Sequence, residues 1–132
     1  MDSKALVNEQ IDAAGELVEQ FEKFMPVKAA FWLKPAESDS WLLYIAGERV
    51  AQEGVAPGNR EIVRICQQIN SPDLDVFQIR LIPAEDPLAQ SVLLVHQRYP
   101  GRLPMRYGGT TLGGTSIEGA YLYPVPAAAG NP

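Results

Sequence analysis

One stretch of the sequence collects the side chains best suited to acid–base and anion chemistry. His96, the chain's single histidine, is followed at short spacing by Arg98, Arg102 and Arg106. An imidazole can exchange a proton near neutral pH, and guanidinium groups hold phosphates and carboxylates through paired hydrogen bonds. These four residues are therefore the candidate site for binding an anion or an acidic partner.

Two other interpretations of the same residues stay open. In the catalytic one, His96 does acid–base work while Arg98 and Arg102 hold a phosphodiester, as in a metal-independent, ribonuclease-like hydrolase. In the structural one, the cations complement the dipole at a helix C-terminus and otherwise lie in water. The sequence favours the structural interpretation, and His96 is a candidate catalytic residue only in the first.

Charge is unevenly distributed along the chain. The 132 residues carry 16 acidic and 11 basic side chains, a net charge of −5, which disfavours indiscriminate binding to nucleic acid or anionic membranes. Six of the acids lie in residues 1–25, whereas Pro87 to Ile117 contains no Asp or Glu. We therefore expect the locally basic C-terminal third to face an acidic partner.

Several other chemistries lack their residues. A single cysteine, Cys66, and a single histidine cannot form a zinc site of Cys and His ligands, and neither a metal nor another cofactor is expected. The glycines of Gly108–Gly114 are not followed by the Lys-Ser/Thr pair of a phosphate-binding loop, so they indicate a turn that uses positive φ. Asp73 and Asp75 lack the further carboxylate and lysine of a metal-dependent nuclease.

The elements that would position these residues are organised around Val27–Ala46. This segment predicts two strands joined by a polar turn, with apolar residues on both faces. Phe31 and Leu33 fall on one face of the first strand, and Ala30 and Trp32 fall on the other. Strands of this kind are typical of a sheet interior that is covered on both sides.

Three helices are predicted to supply the covers. Residues 3–25 carry an apolar stripe at steps of three and four and stop at Pro26. Asn59 is the expected N-cap of a helix that ends near Ile69, and Asp86 caps a third helix that runs to about Arg98. A single helical turn is also expected within 48–52.

Three further strands complete the predicted sheet. They are Leu74–Ile82, with Phe77, Ile79 and Leu81 on its inner face, and the short strands Leu103–Tyr107 and Ile117–Tyr123. The order α-ββ-α-β-α-ββ predicts an α+β sandwich with a mostly antiparallel sheet of about five strands and roughly three helices. One domain is expected over residues 1–124, followed by a disordered tail at 125–132.

The sequence therefore favours a small soluble accessory or protein-interaction domain over an enzyme. Its expected partner is another protein or a second copy of the chain, with self-association as a homodimer left open, rather than a small molecule. Nucleic-acid and membrane partners are not expected, and the single cysteine and the uncharged stretches broken by Gly and Pro favour a cytoplasmic location. The alternative is the phosphoester-acting hydrolase that uses His96 and the arginines.

Overall fold

The predicted hairpin forms the centre of the sheet. In the computed structural model, which describes residues 6–98, 105–107 and 111–124, strand β1 spans Val27–Pro35 and strand β2 spans Leu42–Gly47. The two strands are antiparallel, with Trp32 opposite Leu43. Consecutive residues of β1 are buried, which confirms interior strands covered on both faces.

The remaining strands extend the sheet on either side of this hairpin. They are β3 (Ile79–Pro83), β4 (Met105–Tyr107), β5 (Thr111–Leu112) and β6 (Thr115–Leu122). The strand order is β3-β2-β1-β6-β4, with β5 paired to β6. Within the described residues only β2 and β3 pair in parallel. The prediction of an α+β fold with a mostly antiparallel sheet is confirmed.

Four helices pack around this sheet in the described part of the chain. They are α1 (Asn8–Glu22), α2 (Val50–Glu53), α3 (Ala56–Ile69) and α4 (Pro87–Arg98). The parallel pairing of β2 with β3 requires a crossover connection, which the segment containing α2 and α3 provides. The single-turn helix α2 corresponds to the helical turn expected within 48–52.

One face of the sheet is covered by α1 and α3. Leu17 and Phe21 from α1 and Ile65 from α3 are fully buried against Trp32 and Leu43. The apolar stripe of α1 therefore packs on the sheet, as expected from its spacing. Val7, which the sequence assigned to this stripe, precedes the helix and is 44% exposed.

The other face carries a smaller core under α4. Ala89 and Val92 of α4 pack on Phe31 and Leu33 of β1, and Leu122 of β6 completes the contact. Asp86 caps this helix as predicted, because its Oδ1 accepts a hydrogen bond from the Leu88 N–H at 2.9 Å. The predicted end of the helix at Arg98 is also observed.

Three helix boundaries differ from the sequence prediction. Helix α1 ends at Glu22, and the Glu22 carboxylate accepts a hydrogen bond from the Val27 N–H at 2.8 Å as the chain enters β1. Helix α3 begins at Ala56, so the prediction of an N-cap at Asn59 is wrong. Pro57 lies in its first turn, where a missing N–H costs nothing because that donor has no helical partner. Helix α1 also begins later than predicted, at Asn8 instead of near residue 3, with Val7 at its N-cap position. The expected cap residues Asp2 and Ser3 lie outside the described residues.

The prediction of a long strand over Leu74–Ile82 is also wrong in its first half. Val76–Gln78 forms a 3-10 turn, and the strand is limited to Ile79–Pro83. Asp75 accounts for the difference, since its Oδ1 accepts a hydrogen bond from the Phe77 N–H at 2.9 Å and closes the turn. The expected residues 103 and 104 of β4 and the expected tail at 125–132 lie outside the described residues.

Candidate functional site

His96 lies in the last turn of α4 and is half-buried. Burial lowers the pKa of its imidazole, and a hydrogen bond to the backbone of Tyr123 opposes this effect. The folded protein therefore favours a neutral imidazole with one ring nitrogen engaged. Such a group can accept a proton from a neighbour that reaches its other nitrogen.

Arg98 ends the same helix but lies on a different side of it. Residues two apart on an α-helix do not face each other, and Arg98 is exposed while His96 is turned towards Tyr123. Both cations lie at the helix C-terminus, where they complement its dipole. His96 and Arg98 therefore lie on different sides of α4.

For the other two arginines of the candidate site, the structure describes only the backbone pairing of Arg106. Arg106 lies in β4, where its backbone pairs with that of Tyr121. Arg102 falls outside the described residues. A single anion-binding site made from His96, Arg98, Arg102 and Arg106 therefore stays a prediction.

Arg98 instead lines a groove between α4 and the hairpin formed by β5 and β6. The groove has a volume of about 590 Å³. Its described lining consists of Ser91, Leu94, Val95, Gln97, Arg98, Thr111, Leu112 and Gly113. We call it the α4–β5 groove. Leu112 is buried beneath it, and Leu94 is 63% exposed beside it.

The spacing of residues on α4 explains how the groove forms. Ala89 and Val92 are completely buried on the sheet. Ser91, Leu94 and Arg98, at steps of three and four, form a neighbouring stripe that faces β5. A single helix thus packs on the core with one side and lines the groove with another.

Gly113 holds the β5–β6 hairpin against the beginning of α4. The φ angles of Gly113 and Gly114 are 59° and 82°, the positive pair that a two-residue hairpin turn requires. A Cβ atom at Gly113 would lie 3.0 Å from the Pro87 carbonyl oxygen and 3.0 Å from the Leu88 Cα. The sequence prediction of a positive-φ turn is confirmed for these two glycines, and residues 108–110 lie outside the described part.

The groove has a mixed polar and apolar lining with one charge, since Ser91, Gln97 and Thr111 add neutral polar side chains. Among its described lining residues, Arg98 is the only ionisable side chain, and Leu94, Val95 and Leu112 supply apolar surface. The sequence prediction found Arg98 but missed Leu94. The signal was the run Leu93-Leu94-Val95, because three consecutive apolar residues cannot all face one sheet from a helix.

The buried polar groups elsewhere are paired with each other. The Trp32 Nε1 donates to the Tyr123 hydroxyl at 3.0 Å, and that hydroxyl donates to the Ile11 carbonyl at 2.7 Å. The Lys34 ammonium, only 3% exposed, donates to the Glu118 carboxylate at 2.7 Å and to a loop carbonyl. These contacts join distant parts of the chain and have a structural explanation.

No group of three or more His, Cys, Asp or Glu residues is arranged to hold a metal ion in the described part of the chain. The helices in that part are also too short or too polar to cross a membrane. No family model, curated protein or solved structure matches this chain.

Proposed function

We propose that this chain is a small protein-interaction domain that binds an extended acidic segment of a partner protein in the α4–β5 groove. The observation that carries the proposal is the exposure of Leu94, 63%, directly beside the cation of Arg98 in a formed groove. An exposed apolar side chain next to a single charge favours a ligand that has both apolar and acidic groups.

The charge distribution supports an acidic partner. The whole chain carries a net charge of −5, yet residues 87–117 contain no carboxylate. All described residues that line the groove belong to this segment. An acidic ligand would therefore meet attraction at the groove and repulsion over much of the remaining surface, which directs binding to one place.

The shape of the groove supports an extended peptide segment rather than a compact small molecule. Its wall on α4 runs from Ser91 to Arg98, a distance of about 10 Å at the helical rise. That length spans about three residues of an extended chain. A segment of this size can place an apolar side chain at Leu94 and a carboxylate at Arg98.

The hydrolase is a separate proposal. It would require a phosphate held by arginines within reach of the free nitrogen of His96. The variant His96→Ala separates the two proposals, since an interaction domain keeps its ligand and a hydrolase that uses His96 loses nearly all activity. A cytoplasmic location belongs to the interaction proposal as an expectation from the single cysteine.

Fluorescence anisotropy with two labelled peptides tests the proposal. One peptide alternates Glu and Leu, and the other has Lys in place of Glu. We expect the chain to bind the acidic peptide more tightly, with an affinity that falls as salt screens the charges. Leu94→Ser and Arg98→Glu should each weaken binding about tenfold, a change of about 1.4 kcal/mol.

Arg60→Glu is the matched control for Arg98→Glu. Arg60 is an exposed residue of α3, away from the groove, and its substitution changes the net charge by the same amount. It should leave the affinity within about twofold if local contacts decide binding. Equal losses in the two variants would mean that only net charge matters, and the groove would then not be the binding site.

A further inference from the structure

A second exposed apolar side chain lies next to β3, the strand at the opposite edge of the sheet from β4. Phe77 is 82% exposed on its 3-10 turn. It stands beside a groove of about 350 Å³ whose described lining is Asn59, Ile62, Val63, Val76, Phe77, Ile79 and Arg80. We call Phe77 together with this groove the Phe77 surface.

The backbone of Phe77 is held in place from both sides. Its N–H donates to the Asp75 Oδ1 at 2.9 Å, and its carbonyl accepts a hydrogen bond from the Arg80 Nη1 at 2.7 Å. The phenyl ring is therefore presented on an ordered turn. Because the backbone is already fixed, only the two side-chain torsions of Phe77 must be ordered on binding, which makes it suitable as an interface anchor.

The groove beside Phe77 can receive an aromatic ring. Ile62 and Ile79 are buried at its base, and Val63 is 41% exposed beside it. Its volume lies in the range of cavities that hold small organic ligands, so it is large enough for one phenyl group. The same surface thus contains an apolar projection and an apolar recess.

The charges around Phe77 identify the partner that fits. Asp75 and Arg80 carry opposite charges, both are exposed, and they lie on either side of Phe77 in the turn. A two-fold axis near Phe77 would place Asp75 of one copy opposite Arg80 of the other, twice over. Such a pattern complements itself, as an isologous interface requires.

We infer that the Phe77 surface is a homodimer interface, in which Phe77 of each copy occupies the groove of the other. The interface is distinct from the α4–β5 groove, since the two share no lining residue. Dimerisation and binding of the acidic segment therefore respond to different substitutions.

Sedimentation equilibrium of the full chain tests this inference. The wild-type protein should form a dimer, and Phe77→Ser should raise the dimer dissociation constant about 30-fold or more, as expected for loss of an interface anchor. Leu94→Ser is the matched control, because it also removes an exposed apolar side chain and should leave the constant unchanged. A monomer at concentrations up to about 1 mM, or a dimer insensitive to Phe77→Ser, would overturn the inference.

A mixing experiment tests the two-fold arrangement itself. Asp75→Arg alone places two arginines opposite each other, and Arg80→Asp alone places two aspartates opposite each other, so each variant should dimerise more weakly than wild type. An equimolar mixture restores opposite charges at both contacts, and it should form heterodimers at least tenfold more tightly than either variant self-associates. Each variant also loses one hydrogen bond to the Phe77 backbone, a loss that the mixture shares, so the mixture is compared with its components and not with wild type. A mixture that associates no better than its components would contradict the two-fold pairing of Asp75 with Arg80.

Discussion

The two faces of the central strand β1 are covered in different ways. On one face, which we call the closed face, α1 and α3 bury Trp32 and Phe21 in a large core, and the groove beside Phe77 lies at its edge next to β3. On the other, which we call the open face, α4 covers Phe31 and Leu33 but leaves Leu94 exposed next to the α4–β5 groove. The same strand therefore supports one face whose centre is covered by two helices and another face on which the covering helix itself lines a groove.

This difference follows from the helices available to each face. Two helices of 15 and 14 residues pack on the first face, and one helix of 12 residues packs on the second. Alanines at positions 29, 46, 89 and 120 let α4 lie close to the sheet. Its own side chains at Leu94 and Arg98 are then displaced towards the β5–β6 hairpin, where they line the groove.

The largest expected effect is on the closed face. Trp32→Ala removes a side chain that is 2% exposed, together with its hydrogen bond to Tyr123, and should lower the free energy of unfolding by about 3–5 kcal/mol. Phe31→Ala should fall at the lower end of that range, because half-buried Tyr44 stacks on Phe31 and can move into the space. Urea denaturation measures both. Losses below about 0.5 kcal/mol at both positions would contradict the assignment of the core.

A smaller effect is expected from the Tyr123 hydroxyl, which links Trp32 of β1 to the backbone of α1 by hydrogen bonds. Tyr123→Phe leaves the Trp32 Nε1 and the Ile11 carbonyl without their partner and should cost about 1–3 kcal/mol. Tyr44→Phe is the matched control on the open face, since the Tyr44 hydroxyl makes no hydrogen bond within the described residues, and it should cost less than about 0.5 kcal/mol. Equal losses of unfolding free energy in the two variants would show that the hydrogen bonds of Tyr123 do not stabilise the closed face.

The contact between the hairpin and α4 can be tested with the two glycines of the turn. Gly114→Ala introduces only the positive-φ strain, about 1 kcal/mol. Gly113→Ala adds a Cβ atom 3.0 Å from the backbone at the beginning of α4, so it should cost about 1 kcal/mol more. Thermal unfolding of both variants makes the comparison. A Gly113→Ala protein as stable as Gly114→Ala would show that the hairpin does not press on α4.

The smallest effect is the pH dependence that comes from His96. Because burial lowers the pKa of His96, the unfolded chain binds this proton first as the pH falls below about 6.5. Stability is therefore present above that pH and is lost on acidification. Urea denaturation at about pH 7.5 and pH 5.5 should show a larger loss for wild type than for His96→Gln. An equal or smaller loss for wild type would contradict the burial of the imidazole.

The hairpin and the helix starting at Asp86 could be predicted from the sequence because local patterns determine them. Alternation of apolar residues assigned Phe31 and Trp32 to opposite faces, and both assignments are observed. The cap at Asp86 is likewise a short-range hydrogen bond. Patterns confined to a few neighbouring residues were therefore sufficient for these elements.

Other features depend on competition between local interactions or on contacts between residues that are far apart in the sequence. At Phe77 the alternating pattern of a strand competed with the capping side chain of Asp75, and the cap prevailed. The parallel pairing of β2 with β3 and the contact of Lys34 with Glu118, 84 positions away, depend on how the whole chain packs. For the same reason, the sequence indicated Arg98 but not the hairpin that forms a groove with it.

The most direct test of the binding groove is an amide NMR titration of the isotope-labelled chain with the peptide of alternating Glu and Leu. We predict chemical-shift changes at Ser91, Leu94, Arg98 and Leu112, which line the α4–β5 groove, and none at Leu17 or Ile65 on the closed face. Shifts confined to residues outside α4 and the β5–β6 hairpin, or no shifts at saturating peptide, would contradict it.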